Sequence, residues 1–287
     1  MINTTKGLRA IAIGALFTIA ASAAQAAPVF TVNPTNNGIS KVGTTFQADG
    51  MFGNSSARIT QTGVSNGVYT YSGTGYINYS TFKLAGQNLG ADVTGANFDY
   101  TLYALFNQTF TCSSQLGTGV ACSVTSIDLN LYADGGGSAN RNSFTEASLT
   151  ADANVGVNGN DILLGTVNSV IAGTAGINNL GGAFQNINTN FNLTADGKQF
   201  FVLPNPFYAL TFNAFNNTSQ GLQCNGNGDV ANGGLANGCA GDFTTVVINQ
   251  ETGITDFNGT AVPEPGTLAI FGAGLMGLAA LRRRKQK

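Results

Sequence analysis

The side chains able to do chemistry in this chain are few, and the missing ones narrow the field first. There is no His and no Trp. Without imidazole, Ser-His-Asp and Cys-His hydrolytic machinery is excluded, as is every His-containing zinc or haem site. Carboxylate, Tyr, Lys and Cys chemistry remain. A glycosidase needs two carboxylates across a cleft, yet Glu146 and Glu251 are the only glutamates before residue 260 and neither sits in a catalytic motif. Oxygen donors gather at Asp152, Asn154, Asn158, Asn160 and Asp161, but not in EF-hand order, and Asx turns account for them more simply. The expectation is a protein with no catalytic residues, no cofactor and no metal.

Four cysteines, Cys112, Cys122, Cys224 and Cys239, have none of the C-x-x-C spacing of a zinc knuckle. In an exported chain they read as disulfides. Three pairings are open to four cysteines. The local one, Cys112 to Cys122 and Cys224 to Cys239, is favoured because each pair brackets turn-rich sequence, and each loop closure would stabilise by about 2 to 3 kcal/mol.

Export itself is written at residues 1–26. Lys6 and Arg9 precede an apolar stretch from Ala10 to Ala24, and Ala24-Gln25-Ala26 is a small-x-small cleavage site, so cleavage after Ala26 is expected. A second signal occupies residues 261–287. Val262-Pro263-Glu264-Pro265 is followed by an apolar run from Leu268 to Leu281 and a basic cluster of Arg282, Arg283, Arg284 and Lys285. The prolines hold the first part extended and accessible to an enzyme. The apolar run suits a helix held transiently in the inner membrane, with the basic cluster kept on the cytoplasmic side. Gly272, Gly274 and Gly277 weaken the alternative of a buried helix in a soluble core.

The elements that must carry these signals lie between them, in residues 27–260. Only Lys41, Arg58, Lys83, Arg141 and Lys198 are basic there, against thirteen acids from Asp49 to Asp256. Nucleic acid is therefore not an expected partner. Period-two alternation marks strands, most clearly at Val124 to Tyr132, where Ile127, Leu129 and Leu131 share one face. Further strand candidates are 68–72, 76–82, 98–110, 162–170, 184–193, 199–203, 207–215 and 243–249, and none is bounded like a helix. Turns are expected at Ser65-Asn66-Gly67, Asp134 to Gly137, Asn158 to Asp161, Ala195-Asp196-Gly197 and Asn258-Gly259. The pattern predicts an all-β, antiparallel, sandwich-like extracellular domain with Gly/Asn-rich loops. Pro204-Asn205-Pro206 should mark an edge or chain reversal. Phe200, Phe201, Phe207 and Tyr208 read as core more readily than as a ligand platform. Tyr69, Tyr71, Tyr76 and Tyr79 read first as cross-strand packing, and as a sugar-stacking row only if exposed.

The order of Val262-Pro263-Glu264-Pro265, apolar segment and basic cluster closely resembles the PEP-CTERM sorting signal of Gram-negative bacteria. The resemblance implies that an exosortase recognises Pro263-Glu264-Pro265 and removes the tail of a secreted or cell-surface protein. The body segments Phe30 to Pro34, Phe46 to Asp49 and Leu193 to Tyr208 resemble the flocculation-associated PEP-CTERM proteins. That likeness implies a role in cell aggregation with extracellular polysaccharide in a biofilm matrix. The alternatives are a secreted carbohydrate-binding module and, less readily, a carboxylate-dependent hydrolase.

Overall fold

The computed structural model describes residues 28–41, 44–135, 141–216, 222–226 and 242–258. Among these, eight long strands close one antiparallel sheet into a barrel: β1 (Gly50–Ser65), β2 (Val68–Leu84), β3 (Thr101–Cys112), β4 (Ala121–Asp134), β5 (Val170–Ile177), β6 (Ala183–Asn190), β7 (Leu210–Asn216) and β8 (Asp242–Asn258). Each pairs with the next in sequence, and β8 returns to pair with β1 from Thr245↔Thr60 to Thr255↔Met51. The expected antiparallel all-β architecture is what forms, with the two faces of a sandwich joined as one sheet. Closure removes the exposed edges that long strands would otherwise offer to other chains.

Local chemistry sets the register. Asn66 and Gly67 both have positive φ (52° and 76°), the two-residue turn that matches strand twist, and they join β1 to β2. Alternation then sends Ala57 and Ile59 of β1, Ile77 of β2, Phe106 and Phe110 of β3, and Val246 and Ile248 of β8 into the interior. Leu129 and Leu131 of β4 follow, as their sequence spacing predicts. The edge of β4 is shared: Ala121 to Ser123 pair with β5, while Leu129 to Asp134 pair with the strand Asp161–Val167.

Both ends of the barrel are closed. At one end, Tyr71 donates its hydroxyl to the Phe243 carbonyl (3.0 Å) and accepts from the Leu116 amide (2.8 Å), while Leu116–Gly117 pair with β8. At the other, Phe30–Val32 pairs with Phe46–Ala48 and with Phe201–Leu203. Rings of Phe30, Phe201 and Phe257 meet edge to face there, 5.1 to 5.8 Å apart. Outside the wall, the hairpin of Ser143–Thr145 and Asn154–Gly156 covers Tyr76 and Tyr103. Two short helices, α1 (Ala91–Thr94) and α2 (Ala195–Phe200), and the short strands Gln87–Asn88, Asn192–Leu193 and Leu222–Gly226 complete the described body.

Several expectations need correction. Residues 68–72 and 76–82 belong to one strand, and 162–170 spans two, separated at Asn168 and Ser169. Residues 195–200, expected as a turn and the start of a strand, form α2. Thr194 caps it, accepting from the Gly197 amide at 2.9 Å. Tyr71, Tyr76 and Tyr79 are buried, so they form no exposed row. The signal peptide of residues 1–26 and the apolar helix expected within 261–287 lie outside the described residues.

Candidate functional site

The residues named as sites fall in three places. Val262, Pro263, Glu264 and Pro265, the cluster Arg282 to Lys285, and the cleavage residues Ala24 and Ala26 all lie outside the described residues. Cys112 and Cys122 sit where β3 ends and β4 begins, at the base of their connecting segment, and are joined by a disulfide with Cα atoms 4.4 Å apart. Cys224 is also disulfide-bonded, and Cys239 lies outside the described residues. The oxygen-rich segment is committed elsewhere. Asp152 pairs with Arg58 at 3.2 Å, and Asp161 accepts from the Tyr103 hydroxyl at 2.8 Å.

A pocket of about 440 Å³ lies at the barrel end where β7 begins and β8 finishes. Its wall is the run from Phe191 to Ala209, and the sequence builds it stepwise. Thr194 bonds the Leu163 carbonyl (2.6 Å) and starts α2. Gly197 then presses on the Leu164 carbonyl, where a Cβ would come within 1.8 Å, so glycine alone fits. The helix ends by burying Phe200 against Tyr100 and Phe201 against Phe30. Pro204-Asn205-Pro206, with cis bonds at Leu203-Pro204 and Asn205-Pro206, bends the chain between Phe201–Leu203 and β7, where the strand pattern is interrupted.

Past this turn, Phe207 rests on Phe201 and Phe257 with centroids 5.2 and 5.0 Å away. Tyr208 meets it edge-on at 5.4 Å and donates its hydroxyl to the Val29 carbonyl at 2.9 Å. Both rings are half-buried and line the pocket, whereas Phe200 and Phe201 are core. Asn192, Lys198 and Asn205 supply the polar part of the lining and are exposed. Sequence reasoning had not singled these three out; the Pro-Asn-Pro interruption flanked by aromatics was the signal that could have found them.

The barrel interior holds the other concentration of polar groups. A bulge at Gln250 (φ 58°) resets β8 so that Glu251 follows Ile248 inward. Ser55 donates to Glu251 Oε2 at 2.9 Å, and Gln108 Nε2 donates to Gln185 Oε1 at 2.9 Å. The remaining oxygens, Glu251 Oε1 and Gln108 Oε1, are buried with no hydrogen-bond partner. Both residues line a cavity of about 30 Å³, with room for about two waters and not for a sugar. Burial raises Glu251 to about 7, partly offset by the Ser55 bond. Deeper in, a hydrogen-bonded chain runs Tyr79, Thr255, Asn213, Thr211, Thr189 and satisfies each hydroxyl. These groups serve the wall and are closed to any substrate of appreciable size.

Residues 261–285 match the family model of the PEP-CTERM protein-sorting motif. Neither a curated protein nor a solved structure matches the chain. The match covers Val262 to Pro265, the apolar run and the basic cluster, so the chain carries the signal of an exosortase-sorted extracellular protein, a system of Gram-negative bacteria.

Proposed function

We propose that this chain is a non-catalytic protein of the cell surface or extracellular matrix that promotes cell aggregation by retaining exopolysaccharide after its tail is removed. The sorting motif at residues 261–285 carries the reading, because it marks a destination outside the cell. The body is suited to that destination. Its eight long strands close on themselves as a barrel, braced by the Cys112–Cys122 disulfide. Transient retention in the inner membrane through residues 268–281 precedes release.

A second reading, a secreted carbohydrate-binding module, is favoured by one observation, the aromatic and amide-lined pocket of residues 191–209. A hydrolase finds less support. Among the described residues the pocket lining contains no carboxylate, and the buried Glu251 faces a space too small for substrate. The test is a deletion strain scored for floc formation and for polysaccharide held in the cell pellet. Loss of both, restored by the wild-type chain, is expected; normal flocs and normal retention would refute the aggregation role.

A further inference from the structure

We propose that the pocket of residues 191–209 binds an acidic sugar residue, a uronate of a polysaccharide, with Lys198 taking its carboxylate and Phe207 and Tyr208 taking the apolar face of its ring. This specifies a ligand for the polysaccharide-retaining role proposed above and rests on it.

Size admits the assignment first. About 440 Å³ lies in the range of pockets that take small ligands, roughly 300 to 1,000 Å³. Charge then gives it a sign. Thirteen acids face five bases in residues 27–260, and three of those bases are engaged: Arg58 with Asp152, Arg141 with the Asn97 carbonyl, and Lys83 over the Phe52 ring. Among the described residues Lys198 is in no ion pair and is the only charged residue that lines this pocket. An ammonium with no neighbouring carboxylate in the lining favours an anionic ligand.

The rest of the lining chooses among anions. Side-chain phosphate sites are typically built from arginine clusters, and among the described residues no arginine lines the pocket. What lines it instead is two half-buried rings and the exposed amides of Asn192 and Asn205. Rings offer the flat apolar surface on which the C–H face of a pyranose lies, and each amide offers a donor and an acceptor to neighbouring hydroxyls. Tyr208 is held by Val29 and Phe207 by Phe201 and Phe257, so little side-chain freedom is lost when a ring settles on them.

The experiment is calorimetric titration of the exported protein, purified from culture, with tetragalacturonate and with its carboxyl-reduced, neutral counterpart. Wild type should bind the acidic tetramer about tenfold more tightly, the worth of one charge-assisted contact, and the preference should shrink as salt is raised. Lys198→Gln should abolish the preference, and Asn205→Ala should weaken both ligands. Both positions are exposed, so melting temperatures should stay at the wild-type value. Equal binding of the two tetramers, binding of neither at millimolar concentration, a preference that survives Lys198→Gln, or displacement of the acidic tetramer by inorganic phosphate at equal concentration would each overturn the assignment. The aggregation role is judged separately. If deletion abolishes flocs and Lys198→Gln restores them fully, the pocket's part falls and the role stands; if deletion leaves flocs normal, the role falls and the titration alone decides the pocket.

Discussion

Glu251 shows how one side chain can tie a barrel wall to pH. It is an acid raised from 4.5 to about 7, chiefly by burial. The folded state therefore holds its proton more tightly than the unfolded chain does. Its stabilising contribution is complete below about pH 4.5 and fades as pH rises through about 7, a loss of about 3 kcal/mol. Glu251→Gln keeps an acceptor for Ser55 and removes the titration. Denaturant melts from pH 4.5 to 8 should show wild type losing stability while the variant stays flatter; parallel curves would contradict a buried, proton-holding carboxyl. Nothing in the sequence announces this residue. Glu251 looks like a surface acid in a polar run until the bulge at Gln250 turns it inward, and a bulge leaves no composition signal. The half-buried Phe207 and Tyr208 pose the opposite problem. Their types predict burial, and only the Pro-Asn-Pro bend shows why they stop at a pocket edge.

Elements with clean alternation were the legible ones. β4 was read from Ile127, Leu129 and Leu131 because every second side chain is apolar, and the β1–β2 turn from Asn66-Gly67 because few other pairs accept its φ values. β1 itself was missed. Its sequence is mostly Gly, Ser, Thr and Asn with scattered apolar residues, and its inward positions include Ser55 and Ala57, so apolar periodicity hardly registers. Small residues are needed there: at Gly53 a Cβ would lie 2.4 Å from the Asn78 carbonyl of β2. Gly53→Ala should therefore cost about 1 to 3 kcal/mol through forced strand displacement, read as a lower denaturation midpoint at unchanged slope. α2 was missed because Thr194 and Gly197 belong as readily to a turn as to a capped helix. The disulfide was legible from spacing, since Cys112 and Cys122 lie ten apart around turn-forming residues. Replacing both with Ala should destabilise the protein by about 2 to 3 kcal/mol, and reductant, which also opens the bond at Cys224, should cost wild type at least as much; an unchanged midpoint in the double variant would show that β3 and β4 need no brace.

At the scale of the whole molecule, the barrel and the sorting motif are linked by short chain. β8 finishes at Asn258, paired with Leu210 beside the pocket wall, and Pro263 follows five residues later. Five residues of extended chain reach at most about 18 Å. Glu264→Ala should leave the body's melting temperature unchanged, since no described core contact depends on it, and should shift exported protein from the medium to the inner-membrane fraction. The motif was fully legible in the sequence because its information is order and residue type, whereas the pocket needed three dimensions to bring Asn192, Lys198 and Tyr208 together. The most direct test of exosortase sorting is the intact mass of the protein released by wild-type cells. The account predicts a mass lacking residues 1–26 and the segment beyond the Pro263-Glu264-Pro265 motif, Arg282 to Lys285 included; released protein that still carries the basic cluster would contradict it.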